Sequence, residues 1–395
     1  MDAASFSDAP DHREARTGGS ALRVRSMSDL LSLVPVVLGF EPHESLVVAA
    51  VAGARPGFHA RVDLPDLCDS ESATALGTQT AAAVAAQGCT RVAVLGFTAD
   101  PAVDPCLRRV ADAVLASGIE VVDVVRTDGS RYRSLDCRDP QCCPPEGVPY
   151  DPRSSLLRAE AALAGVAVAP DRASVVARFA PCSGETASRM RSATHAAERE
   201  VVAALGLRDR RALARPPQRA VRAATTSGAT RVDALLDRLL DRQAEVWAGG
   251  LDKPVTASRG RASPADVDTG AGARLDADVA ALSVWCSVTR FRDLAWSRID
   301  RTSAARHLAV WSTVARRVVP PYEPAVLSLA AFAAWASGDG ASAWCALDRA
   351  LTADPGYSMA RLVADALSRC VPPDVWVPPP RGLVLGLAEE PGREE

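Results

Sequence analysis

Lysine is almost missing from this 395-residue chain: of its 45 Lys and Arg residues, only Lys253 is a lysine. A phosphate-binding loop, a Schiff base or a Ser-x-x-Lys nucleophile would each have to use that residue. Its setting, Gly249-Gly250-Leu251-Asp252-Lys253-Pro254, matches none of them. Glycine-rich phosphate cradles are missing as well. Two segments that read as strand ends, Leu95-Gly96-Phe97-Thr98-Ala99-Asp100-Pro101 and Val125-Arg126-Thr127-Asp128-Gly129, contain no Gly-x-Gly-x-x-Gly turn. Histidines number five, His12, His43, His59, His195 and His307, and none has the helical spacing of a metalloprotease pair.

Long apolar runs are also lacking. The best, Leu327 to Ala336, falls well short of the roughly 20 residues that span a bilayer, so no membrane association is expected. The opening Met1-Asp2-Ala3-Ala4-Ser5 carries neither the basic region nor the apolar segment of an export signal; residues 1–20 read as a polar disordered tail, and the expected location is cytoplasmic. A net charge of −3 supplies no overall basic field, so no nucleic-acid partner is expected.

What is present suits a protein with real cores: 48% of residues are hydrophobic and 24% charged, and the length favours two domains. Ser28 and Asp29 offer caps for a short helix that Gly39 ends. The valine-rich run Ser45 to Ala52 and the alternating segment Phe58 to Leu64 then read as a hairpin. A helix over 69–87 leads to the strand Arg91 to Phe97. A second cycle, a helix from Asp104 followed by the strand Ile119 to Val125, ends in a turn at Asp128-Gly129 and a strand over 131–135. That order predicts an α/β domain over 21–151, with a mostly parallel sheet and hairpins at its edges.

From residue 152 the hydrophobic period becomes helical, which predicts an all-α region over 152–371. Mobile connections are expected near 208–230 and 256–272, and a proline-rich tail over 372–395. Within the helical region, Ala333 to Asp339 followed by Ala343 to Pro355 resembles one tetratricopeptide-type helix pair. No second copy follows, so a local hairpin is the better reading.

The densest local feature is Cys137-Arg138-Asp139-Pro140-Gln141-Cys142-Cys143-Pro144-Pro145-Glu146-Gly147, three of the ten cysteines in a loop stiffened by proline. Three readings apply: loop-fixing thiols, a soft-metal site for which zinc is the candidate cofactor, or a redox or nucleophilic thiol. A nucleophilic thiol would need a base, and His43 and His59 are the candidates in the same domain. By analogy with parallel sheets, a ligand would sit beyond the carboxyl ends of the strands, near Thr98, Asp100, Arg126, Thr127 and Asp128.

The run Leu33-Val34-Pro35-Val36-Val37-Leu38-Gly39-Phe40-Glu41-Pro42-His43-Glu44-Ser45-Leu46-Val47-Val48, the Asp139 to Gly147 loop and the closing Pro320-Pro321-Tyr322, Ala333 to Gly340 and Asp354-Pro355-Gly356-Tyr357 segments resemble an actinobacterial domain-of-unknown-function family over about residues 22 to 377. That resemblance implies no known activity or cofactor. Three functional classes follow from the residues. The first is a non-enzymatic regulatory protein whose helix pair over 323–370 presents a groove to a protein partner. The second is a small-molecule-binding protein or enzyme with its site where the strand ends meet the Cys137 loop. The third is a zinc or thiol-redox sensor.

Overall fold

The computed structural model describes residues 24–53, 59–64, 70–163, 168–251, 269–369 and 371–386, together with a short antiparallel ribbon of Ala15–Thr17 against Ser20–Leu22. Most of the tail expected over 1–20 and of the connection expected over 256–272 lies outside the described residues. Internal contacts divide the chain into two compact units, Met1–Ser174 and Val175–Glu395. The first is α/β and the second helical, as the change of hydrophobic period predicts.

In the first unit, helix α1 (Met27–Leu38) starts two residues earlier than a Ser28 cap would place it: the Ser26 side chain accepts from the Asp29 amide at 3.1 Å. It ends at Gly39, whose left-handed φ of 75° closes the last turn at no steric cost. The strands are β1 (Ser45–Gly53), β2 (His59–Asp63), β3 (Cys89–Phe97), β4 (Glu120–Thr127), β5 (Arg131–Ser134) and β6 (Val148–Pro149), joined by α2 (Ser70–Ala86) and α3 (Asp104–Ala116). They form one sheet in the order β2-β1-β3-β4-β5-β6.

The expectation of a mostly parallel sheet is too broad, because only β3 and β4 run parallel and the other four pairings are antiparallel. A single β3-α3-β4 crossover supplies the parallel pair, which needs a helix-length connection; the flanking strands return through shorter routes. Both faces of the sheet are covered, which is why β1 and β3 read as continuous apolar runs. Leu46, Val48, Val92 and Val94 pack under α2 and α3 with Ala73, Val84, Leu107, Val110 and Val114. The alternate residues Val47, Ala49, Ala93, Leu95 and Phe97 pack under α1 with Leu30, Leu31 and Val34. The chain beyond β6 stays with this unit. Helix α4 (Leu156–Leu163) buries Leu157 and Ala161 against Leu33 and Val36 of α1.

The second unit is built from α6 (Gly184–Ala204), α7 (Gln218–Ala223), α8 (Thr225–Leu251), α9 (Thr269–Trp285), α10 (Thr289–Ser297), α11 (Ala304–Arg317), α12 (Glu323–Ser337), α13 (Gly340–Ala353), α14 (Ser358–Ser368) and α15 (Arg381–Leu385); the short α5 (Arg172–Ala177) precedes them. Residues 208–230 are not the loose connection that their Arg, Pro and Ser content suggested. They form a 3-10 turn, α7 and the start of α8, because Leu213, Val221, Ala224 and Ala229 suffice to bury one face. The described part of the proline-rich tail, residues 372–386, is docked: the Trp376 indole lies 4.5 Å from that of Trp296 and donates to the Ile299 carbonyl at 2.7 Å, and Leu385 is buried. The repeat-like hairpin is α12 and α13, turned by Gly338 in the left-handed region and capped by Asp339. Residues Pro324 to Ala336 of α12 are all buried, with α11, α13 and α14 packed around it.

Candidate functional site

At the carboxyl ends of β3 and β4 the first unit opens into a cleft of about 570 Å³. Sequence order explains its walls. β3 ends at Phe97-Thr98-Ala99 and β4 at Thr127-Asp128-Gly129, side by side in the parallel pair. The α1–β1 connection, Glu41 to Glu44, forms the opposite wall. It is held by the segment 168–170, whose Ala169 amide donates to the Gly39 carbonyl at 2.8 Å and whose carbonyl accepts from the Glu41 amide at 2.9 Å. Tyr150, Arg153 and Arg158 complete the rim, and Leu31, Pro35 and Val168 make its apolar floor. The size is that of a small-molecule site.

Glu44 is the unusual residue. Among the described residues it is the only one other than glycine with positive φ, at 42°, a conformation that crowds Cβ against the backbone. Its carboxylate accepts from the hydroxyl of buried Thr98, with both oxygens 2.9 Å away. Thr98 is fixed in turn by its amide, which donates to the Thr127 carbonyl at 2.8 Å across the parallel strands.

The Thr127 hydroxyl donates to the Arg131 carbonyl at 2.8 Å, so the Tyr150 hydroxyl 2.9 Å away is the donor in their contact. Burial raises the Tyr150 pKa, which keeps that proton in place. Burial also opposes ionisation of Asp128, but hydrogen bonds from the Ser130 amide and hydroxyl and the Arg131 amide outweigh it and hold its pKa below the usual range. That carboxylate is occupied by the turn. Arg158 is ion-paired to Glu41 through one terminal nitrogen, while the other, Nη1, is buried without a partner.

The cysteine loop lies elsewhere on the sheet. β5 runs antiparallel to β4, with Thr127 opposite Tyr132 and Val125 opposite Ser134, so it carries the chain away from the cleft before the loop begins. Cys137, Cys142 and Cys143 bring their Sγ atoms within 4.8 Å of one another, and all three are free thiols. Hydrogen bonds define the loop. The Cys143 amide donates to the Asp139 carbonyl at 2.7 Å and the Gln141 amide to the Asp139 carboxylate at 2.8 Å. The Cys137 amide donates to Ser134 Oγ at 3.2 Å, and that hydroxyl donates to Asp123 at 2.6 Å. Burial pushes the Cys143 thiol up to about 11, and the neighbouring Cys137 thiol raises Cys142 as well. Thiols raised in this way are protonated at neutral pH, the opposite of an activated nucleophile.

A family model described as Domain of unknown function (DUF4192) matches residues 28–374, most of the chain. The chain belongs to this family. No curated protein and no solved structure matches it. The matched span of this DUF4192 member includes the cleft, the cysteine loop and helices α4 to α14.

Of the residues expected near a ligand, Thr98, Thr127 and Asp128 line the cleft and Asp100 and Arg126 do not. The Asp100 carboxylate caps a 3-10 turn at Pro101 by accepting from the Ala102 amide at 2.9 Å. Arg126 is spent on Asp104 at 2.8 Å and on the Ala99 carbonyl at 3.0 Å. His43 lines the cleft, whereas His59 pairs with Ala49 in the middle of β1 and does not line it, and the thiol cluster contains no histidine. The three cysteines do not line the cleft, so the expected meeting of strand ends and Cys137 loop does not occur. Glu41, Glu44, Tyr150, Arg153 and Arg158 escaped the sequence reading. The only hint was the charged Glu41-Pro42-His43-Glu44 stretch placed directly before a buried strand.

Proposed function

We propose that this DUF4192 protein binds a small organic anion that also carries a hydrogen-bond donor, in the cleft at the carboxyl ends of β3 and β4. The observation that carries the reading is Glu44: a left-handed glutamate is costly, and such outliers persist where a site requires a side chain in one place. Its carboxylate is the acceptor for the ligand's donor. The buried, unpartnered Nη1 of Arg158 and the guanidinium of Arg153 at the rim are the complementary donors for the ligand's anion. The location at the ends of adjacent parallel strands is the usual one for ligands of open α/β sheets. A cytoplasmic setting belongs to the same reading, supported by Cys137, Cys142, Cys143, Cys182 and Cys286, which stand as thiols.

The alternative of a partner-binding groove on the helix pair has little to rest on, since α12 is enclosed by its neighbours. Trp344 and Leu362 are partly exposed on separate helices, and isolated exposed apolar residues are ordinary. Dye-monitored thermal shifts against amino acids, hydroxy acids and nucleoside phosphates test the proposal. At least one class raises the melting temperature of the wild type, and Glu44→Gln and Arg153→Gln each weaken that binding tenfold or more. A panel with no hit, or hits of equal strength in both variants, contradicts it.

A further inference from the structure

The loop from Leu135 to Gly147 poses a packing problem that the cleft does not address. Leu135 packs at the edge of the sheet core, but beyond it only Gly147 is buried, so no hydrophobic cluster of its own holds the loop in shape. Its ordered features are the Asp139 turn, the tie from Cys137 to Ser134, the Arg131 guanidinium on the Gly147 carbonyl at 2.8 Å, and Arg108, ion-paired to Asp136 at 2.7 Å. Three thiols nevertheless gather with their Sγ atoms within 4.8 Å of one another, although Cys142 is exposed.

We infer that Cys137, Cys142 and Cys143 form a binding site for a thiophilic metal ion, Zn²⁺ in the first instance, which acts as the core of this loop. Tetrahedral zinc with bonds of about 2.3 Å sets sulfur atoms about 3.8 Å apart. The three Sγ atoms already lie within 4.8 Å, so side-chain rotation of less than about an ångström per atom completes the set. Binding replaces three S–H protons, released to solvent, by three S–metal bonds, with no change of oxidation state. The spacing Cys-x4-Cys-Cys delivers the ligands from one turn: the Cys143 amide bonded to the Asp139 carbonyl folds the chain back, and the adjacent prolines limit the alternatives.

Three protein ligands leave the fourth position open, toward the solvent beside exposed Cys142. That coordination suits a site accepting water or a further ligand, whereas closed structural sites present four protein groups. The site is independent of the cleft, since none of the three cysteines lines it.

Full-length protein purified under reducing conditions tests the inference, with Zn²⁺ measured by competition against a chromophoric chelator and Cd²⁺ by its thiolate charge-transfer absorption. The wild type takes up one equivalent, with an absorption amplitude corresponding to three thiolates. Cys142→Ser and Cys137→Ser each weaken binding a hundredfold or more, and Cys182→Ser, whose thiol lies in the second unit, leaves it unchanged. Unaltered far-ultraviolet circular dichroism and unchanged hydrogen exchange of the buried β1 and β3 amides establish that the loop variants fold. Failure of the wild type to bind Zn²⁺ or Cd²⁺, equal binding by the loop variants, or an amplitude of two thiolates or fewer would overturn the inference.

Discussion

Replacing Glu44 by Gly and by Ala separates the cost of its backbone from the value of its carboxylate. Both variants lose the hydrogen bond from Thr98, worth about 1 kcal/mol at a partly exposed site. Only alanine keeps the left-handed strain, which costs an L-residue about 1–2 kcal/mol and glycine nothing. Glycine gives back about 0.4–1 kcal/mol through the greater freedom of its unfolded chain. The glycine variant is therefore expected to be more stable than the alanine variant by about 0.5–1 kcal/mol, the reverse of their order in ordinary strand or helix positions. All seven tryptophans, from Trp247 to Trp376, fall in the second unit, so intrinsic fluorescence is blind to this change. The suitable assay is urea-dependent hydrogen exchange of the buried amides of β1 and β3, such as Val47 and Val94. An alanine variant as stable as the glycine variant, or more so, would refute the claim that position 44 is held in the left-handed region.

Other predictions concern the second unit, where tryptophan fluorescence serves. His307 is buried, and burial, with Arg298 and Arg306 nearby, lowers its pKa from 6.5 to about 4 against the opposing Asp300. Between those values the unfolded chain binds a proton that the folded chain does not, so this contribution to stability is complete above pH 6.5 and declines as the pH falls toward 4. At about 1.4 kcal/mol per pKa unit the loss is about 3 kcal/mol, and denaturation midpoints of His307→Gln should show a correspondingly shallower decline over that range. Gly228→Ala places a methyl group 2.4 Å from Phe291 and 2.9 Å from Trp285, two buried rings packed edge to face. The overpacking exceeds the helix-propensity gain, and a net loss of about 1–2 kcal/mol is expected in urea titrations.

Local pattern carried much of the fold. Alternating burial on two covered faces makes Ser45 to Gly53 and Cys89 to Phe97 legible as interior strands, and the helical period after residue 152 marks the change to helix, although the second unit begins only at Val175 because α4 packs back on α1. Topology was less legible. β1 and β3 lie side by side and antiparallel although β2 and α2 separate them in the chain, and no local pattern encodes that pairing. α10 was blurred by its arginines, which dilute the apolar signal of Phe291, Leu294 and Ala295. At the cleft, Thr98, Thr127 and Asp128 were found from the rule that ligands lie at strand ends. Glu44 was missed because a backbone angle leaves no trace in composition, and Arg153 and Arg158 because they lie in a segment, 153–165, that reads only as a helix. The cysteines were conspicuous in the sequence, but their separation from the cleft depends on the direction of β5.

The central claim is that the cleft between the α1–β1 connection and the strand ends is where a small anion binds. Hydrogen exchange with and without the best compound of the thermal-shift panel tests it most directly. Protection is predicted at 41–45, 97–99, 127–129 and 150–153, and is absent in Glu44→Gln. Protection confined to residues 323–368, or none at the cleft while the compound still stabilises the protein, would contradict it.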